Sequence, residues 1–269
     1  MKLTVLVDNN TQIDHYLYGE PAVAYYLEDE GVRLLWDTGY SHLVRTNAEL
    51  LGISLDALDA VAISHGHCDH TGGLQTLIEH YDLSHTQLAA HPLAFMPKEN
   101  DQGQPAGSPL NTQKLSASFR LSLSAQPQRL SPHLTLLGEI PHALPFEPQR
   151  AHGRRLATEG WVDDYLPDDT ALVYESLLGL YIITACSHSG ICNICEYAKA
   201  VTGDHRIRGI IGGFHLFGLS LQLSSTIAYL KDHHVAELYP CHCVDFAARA
   251  AIHEVLPVQE VSVGLSLDW

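Results

Sequence analysis

The chain predicts an α/β protein in which two sheets meet at one edge. Three observations carry this expectation. Short apolar runs rich in β-branched and aromatic residues alternate with segments of helical apolar spacing in both halves. Several of those runs end directly at a histidine or cysteine. The run SHGHCDHTGGL (64–74) packs His65, His67, Asp69 and His70 into six positions, between a strand-like run and a glycine pair that opens a helix.

In chain order, LTVLV (3–7), AVAYYLE (22–28) and VRLLWD (32–37) read as strands. HLVRTNAELLG (42–52) has helical spacing closed by Gly52. DAVAIS (59–64) reads as a short buried strand that delivers the histidine loop at its carboxyl end, and GGLQTLIEHY (72–81) as the helix after it. Ligands at the carboxyl end of a strand, just before a helix, are a common site position in α/β folds. The second half repeats the pattern. ALVYES (171–176) and LYIITA (180–185) are strands, the latter ending at Cys186, Ser187 and His188. GICNICEYAKAV (190–201) is a helix, RGIIGG (208–213) a strand before His215, and SSTIAYLKDHH (224–234) a helix. AELYP (236–240) is a strand before His242, VDFAARAAIHEVL (244–256) a helix and VSVGLSL (261–267) a closing strand. Residues 91–168 break this rhythm. Their stretch KENDQGQPAGSPLNTQ (98–113) reads as a long mobile loop, expected to act as a lid.

With 269 residues and 46% hydrophobic content, the chain can bury a sizeable core without staples. It is expected to be one domain over 1–269, with 91–168 as an inserted lid region. No apolar run spans a bilayer, and MKLTVLVDNN is too short for a signal-peptide core, so a cytoplasmic protein is expected. Cys68, Cys186, Cys192, Cys195, Cys241 and Cys243 all lie in or beside the motifs, which fits reduced thiols better than a disulfide framework. Cys192 and Cys195 share a helix face at i and i+3; packing is favoured there over redox or zinc chemistry. A net charge of −16 argues against nucleic acid and anionic membranes as partners. Within 98–155, however, Lys98, Lys114, Arg120, Arg129, Arg150, Arg154 and Arg155 outnumber Glu99, Asp101, Glu139 and Glu147. A basic insertion in an acidic chain can hold an anionic substrate, or can be an ordinary solvated loop.

Imidazoles beside a carboxylate suit a Lewis-acidic cation. The spacing lets His65 and His67 reach one ion while Asp69 and His70 reach a second. Two ions about 3.5–4 Å apart form a hydrolytic centre. A closed structural zinc is the rival, and Asp69 fits it poorly. Asp37, in WDTG, is expected to accept a hydrogen bond from a ligand histidine or to be a turn residue. Among eighteen histidines, His188, His215 and His242 stand out because each follows an apolar strand.

These segments resemble the metallo-β-lactamase superfamily. The His-x-His-x-Asp-His signature matches at His65, His67, Asp69 and His70, and LLWDTGYS (34–41) is similar to the superfamily's strand ending in Asp-Thr-Gly. LLGEIPHALPFE (136–147), ITACSHSGICNI (183–194), IIGGFHLFG (210–218) and YPCHC (239–243) resemble one branch, related to the dihydropterin ribofuranosylaminobenzene-5′-phosphate synthases. The resemblance implies an αββα sandwich and two divalent ions, zinc ahead of manganese or iron. It implies His65, His67, Asp69, His70, His188 and His242 as ligands. Where many members carry a bridging Asp after Gly, this chain has Ser187-His188. The shared carboxylate is then missing, or supplied by Asp168 or Asp169, or replaced by a bridging hydroxide alone. His215 is expected near the substrate as a ligand or proton donor.

The expected reaction is attack by a metal-activated hydroxide, oriented by Asp69, on a phosphorylated small molecule gripped by Arg154 or Arg155, in a phosphoester hydrolysis or a pyrophosphate displacement. A lactonase or thioesterase is the first rival. A metal- or redox-responsive binding protein, supported by the cysteines near the site, is the second.

Overall fold

The strand-forming runs at the start of the chain pair in a row. Lys2–Val7, Ala24–Asp29 and Val32–Trp36 are antiparallel neighbours. From there the sheet turns parallel through Ala60–Ala62, Gln87–Ala90 and Arg120–Leu123, and Ser266–Asp268 closes its other edge. The switch follows from the connections. A short turn joins antiparallel strands, whereas a parallel neighbour needs a crossover, here helices Leu43–Leu50 and Leu74–His80.

These elements come from a computed structural model that describes residues 1–147 and 149–269. It divides into two units. Met1–Ala125, Arg150–Asp168 and Ser262–Trp269 form the first, and Gln126–Gln149 with Asp169–Val261 the second. The region expected as an insertion, 91–168, is therefore shared between them. Arg120–Leu123 is an edge strand of the first sheet, and Leu134–Leu136 is a strand of the second.

The first unit packs Leu6, Leu35, Val61, Ile63, Leu74, Leu77 and Leu88 into one core. It also holds a small antiparallel sheet of Lys98–Glu99, Arg154–Ala157 and Gly160–Asp163. The Gly/Pro/Asn-rich stretch after Lys98 is thus a structured turn. The Asn100 side chain accepts from the backbone N–H groups of Gln102 and Gln104 at 3.0 Å each, and helix Thr112–Ser116 is capped by Asn111. Asn supplies the acceptor that a turn backbone lacks.

The second unit repeats the logic. Gln128–Arg129, Leu134–Leu136, Leu172–Ser176 and Gly179–Ile183 are antiparallel, and the sheet then runs parallel through Ile207–Gly212 and Glu237–Pro240. Helices Ile191–Thr202 and Leu221–Asp232 make the crossovers, and Phe246–His253 follows the last strand. Ile182, Ile194, Ile210, Phe214 and Leu230 fill the core. Cys192 and Cys195 are fully buried in it; burial pushes both thiols up, as packing residues require. Glu147 accepts from the Cys192 N–H at 2.8 Å and caps that helix, while Ser220 and Asp245 cap the next two. No helix among the described residues is long and apolar enough to cross a membrane.

One buried ion group ties the small sheet of the first unit to its histidine loop. Lys98 Nζ donates to Asp164 Oδ2 at 2.6 Å and to Asp168 Oδ1 at 2.9 Å, with all three side chains buried. Asp168 Oδ2 accepts from the Gly66 N–H at 2.8 Å. Burial works against the Asp168 charge, but Lys98 and the Gly66 N–H outweigh it and hold this carboxyl below the usual range. Lys98→Met leaves two buried carboxylates without their cation. It is expected to cost about 3–5 kcal/mol, read as a lower urea midpoint of the full chain at unchanged m-value.

Candidate metal centre

Each candidate donor stands where a parallel strand ends. In the first unit, Asp37 follows Val32–Trp36 and His65 follows Ala60–Ala62. Asp37 has φ 55, a left-handed conformation that a non-glycine residue holds only when its surroundings demand it. They do, because the buried carboxylate takes three donors. Oδ1 accepts from Ser64 N–H at 2.8 Å, and Oδ2 accepts from Ser64 Oγ–H at 2.7 Å and His70 Nδ1–H at 2.8 Å.

This pattern sets the histidine tautomers. The one Ser64 hydroxyl proton goes to Asp37, so Ser64 Oγ accepts from His65 Nδ1–H at 2.9 Å. His65 then offers Nε2 as its lone pair. His70, holding its Nδ1 proton on Asp37, likewise offers Nε2. His65 Nε2 lies 3.0 Å from His67 Nδ1, and His70 Nε2 lies 3.4 Å from Asp69 Oδ2. At that separation either neutral His67 donates Nδ1–H to His65 Nε2 or a cation takes both nitrogens. Burial is the main force pulling half-buried His67 down to about 4, which keeps its ring neutral. For His70 burial also opposes charge, but Asp69 and Asp37 outweigh it and raise it well above its ordinary value. A cation between His70 and Asp69 would replace that proton. The donor chemistry of this loop therefore fits divalent metal.

The loop is held tightly. A Cβ on Gly66 would sit 1.9 Å from the Ala94 carbonyl oxygen, and one on Gly73 would sit 2.0 Å from that of Thr38, so only glycine allows these approaches. A cleft of about 290 Å³ opens beside the loop, lined by His67, Cys68, Asp69, Asn100, Asp101 and His152. Arg154 and Arg155 are not among its lining residues. Arg154, half exposed, pairs with Glu99 at 2.9 Å and lies over the Trp161 ring, while Arg155 is 3.7 Å from Asp164.

In the second unit Cys186, Ser187 and His188 follow Gly179–Ile183, His215 follows Ile207–Gly212, and His242 follows Glu237–Pro240. Ser187, His215 and His242 all have left-handed backbone, with φ 58, 50 and 51. Ser187 Oγ donates to the Gly213 carbonyl at 2.7 Å, and Leu216 N–H donates to the Cys243 carbonyl at 3.2 Å. The His188 and His215 rings lie 4.3 Å apart. Burial opposes charge on Cys243, but the Cys186 thiol, His215 and His242 outweigh it and hold it well below the ordinary thiol value. Asp169 accepts from Ser189 N–H at 2.8 Å. Asp168, one of the two carboxylates considered as a bridge, accepts from Lys98 at one oxygen and from the Gly66 N–H at the other.

Thus the first unit gathers His65, His67, Asp69, His70 and Asp37, and the second brings His188 beside His215. Sequence reasoning missed Ser64, which relays Asp37 to His65, and the Lys98–Asp168 clamp. Ser64 had a local signal, being next to His65. The clamp had none, since its members are far apart in the chain.

Comparison with known proteins gives the family. Residues 17–242 match the metallo-beta-lactamase superfamily. A Methanocaldococcus jannaschii protein named 7,8-dihydropterin-6-methyl-4-(beta-D-ribofuranosyl)-aminobenzene-5'-phosphate synthase is 30% identical over 93% of this chain and 89% of its own. An uncharacterized protein of the same organism is 28% identical over 94% of each chain. The crystal structure of Tm1679, a metal-dependent hydrolase of the beta-lactamase superfamily, superposes with a TM-score of 0.85 at 26% identity, covering 100% of this chain and 99% of that one.

Two outcomes follow. Asp37→Ala removes the acceptor that sets both tautomers and is expected to weaken zinc affinity about 10–100-fold, read by competition with a chromophoric chelator. In the metal-free chain, unfolding lets His67 take a proton at its ordinary pKa, whereas the folded chain resists until about 4. The His67 contribution to stability is thus present above its ordinary pKa of 6.5 and lost as pH falls toward about 4. The corresponding fall in urea midpoint should shrink in His67→Gln. With its signature loop, its fold and its relatives in agreement, the chain belongs to the metallo-beta-lactamase superfamily and is a metal-dependent hydrolase.

Proposed function

We propose that the chain hydrolyses a phosphorylated, anionic small molecule, as a phosphoesterase or in a pyrophosphate displacement, with two divalent ions, zinc first. The observation that carries the hydrolase chemistry is the Asp37–Ser64–His65 and Asp37–His70 network, which aims two Nε2 lone pairs beside an open carboxylate. The substrate class is supported by a full-length relative whose name specifies a 5'-phosphate synthase.

In this reading His65, His67, Asp69, His70, His188 and His242 are the ligands. When bound, the ions supply Lewis acidity, lowering the pKa of water toward neutrality and neutralising charge that develops on the substrate. The protein's own groups do the rest. Asp37 keeps His65 and His70 in the ligating tautomer. Asp69, facing the cleft, orients the attacking water and takes its proton. His215 stands near the substrate, as a ligand or as proton donor to the leaving group. Arg154, half exposed, can exchange Glu99 for a substrate phosphate, with Arg155 beside it in the same strand. The six cysteines form no disulfide among the described residues, which supports placement in the cytoplasm.

The test is a panel of phosphomonoesters, phosphodiesters, pyrophosphates, thioesters and lactones offered to metal-loaded protein. Turnover of a phosphoester or pyrophosphate is expected, with Asp69→Asn lowering kcat by about 10²–10⁴-fold at measured metal content. Turnover confined to thioesters or lactones would overturn the substrate class. Stoichiometric zinc held without any turnover would overturn the catalytic reading in favour of a binding protein.

A further inference from the structure

We infer that Cys186, His215 and Cys243 of the second unit form a sulfur-containing metal-binding set, taking a zinc-like cation through two sulfur atoms and one imidazole nitrogen. The inference extends the metal centre proposed above but does not depend on His65, His67 or His70.

The first ground is proximity. One donor atom from each of these residues lies within 4.8 Å of the other two. Two thiols and an imidazole that close suit zinc, cobalt or cadmium, which accept mixed sulfur and nitrogen ligands. The second ground is the way the backbone is arranged to bring them there. The three residues come from three loops, each following one of the adjacent strands Gly179–Ile183, Ile207–Gly212 and Glu237–Pro240. Those loops are tied to one another. Gly213 N–H donates to the Ala185 carbonyl at 2.8 Å, Ser187 Oγ–H to the Gly213 carbonyl at 2.7 Å, and Cys241 N–H to the Gly212 carbonyl at 3.0 Å. A Cβ on Gly213 would lie 2.4 Å from Cys243 Sγ, so the glycine keeps room for that sulfur. Ser187, His215 and His242 hold a left-handed backbone that non-glycine residues disfavour. Such strain persists only where the surroundings over-determine it.

The third ground is chemical: a thiolate puts a full negative charge on a soft atom, which borderline cations such as zinc accept. The other cysteine pair, Cys192 and Cys195, is buried in the helix core and does not compete.

Cobalt(II) is the probe, because thiolate ligation produces a sulfur-to-cobalt charge-transfer band that imidazole and carboxylate do not. The cobalt-loaded full chain is expected to show this band. It should disappear in the Cys186→Ser/Cys243→Ser double variant and persist in His65→Ala/His67→Ala, so a failure of the first unit's ligands is read separately. Cadmium NMR of the unaltered chain is expected to show the downfield shift of sulfur ligation, which keeps the test independent of whether the double variant folds. A cobalt-binding chain without the band, a band unchanged in the double variant, or a cadmium shift in the oxygen–nitrogen range would each overturn the inference.

Discussion

The buried Asp37 carboxylate is the interaction on which the first unit's chemistry depends. It sits in a left-handed turn at a strand end and accepts three hydrogen bonds. A carboxylate without solvent is costly unless its oxygens are filled, and here the donors that fill it are the groups that must be oriented. Satisfying the charge and setting the tautomers of His65 and His70 are one event. The Gly66 and Gly73 approaches and the Lys98–Asp168 clamp then hold the loop against that carboxylate.

Both units use the same architectural device. Parallel strands end in the same direction, so successive strand ends place side chains in a row at one edge of each sheet. Asp37 and His65 stand in such a row in the first unit; Cys186, His215 and His242 stand in one in the second. Left-handed backbone recurs in these rows at Asp37, Ser187, His215 and His242. Strain gathered at strand ends, away from the strand interiors, is what a scaffold shows when stability in the sheet holds side chains in directions they would not choose alone.

Charge takes on a different meaning in the folded chain. Read as composition, the segment around 98–155 is a cationic patch. In the structure Lys98 neutralises two buried carboxylates, Arg154 pairs with Glu99, and Arg129 pairs with Glu175. Cations within a sequence window need not face one ligand, because their carboxylate partners lie elsewhere in the chain. The cleft beside the histidine loop is lined by Asp69 and Asp101, so the cationic character of the window does not carry over to that cleft.

Sequence alone determined the order of strands and helices in both halves, because hydrophobic periodicity is local and each run carries its own signal. Helix Ile191–Thr202 and strand Ile207–Gly212 fall within a residue of their expected limits. It also singled out the histidine loop, since His65, His67, Asp69 and His70 lie within six positions and can be read together. The strands Gln87–Ala90, Arg120–Leu123 and Leu134–Leu136 escaped it. They are short, and the pairing that makes them strands comes from partners far along the chain. Only the tertiary structure decided that Ser64 relays Asp37 to His65, that Asp168 clamps Gly66, and that Cys186 and Cys243 approach His215. Each of those is a contact across loops, and contact across loops is set by how strands pair, a quantity no local pattern of residues contains.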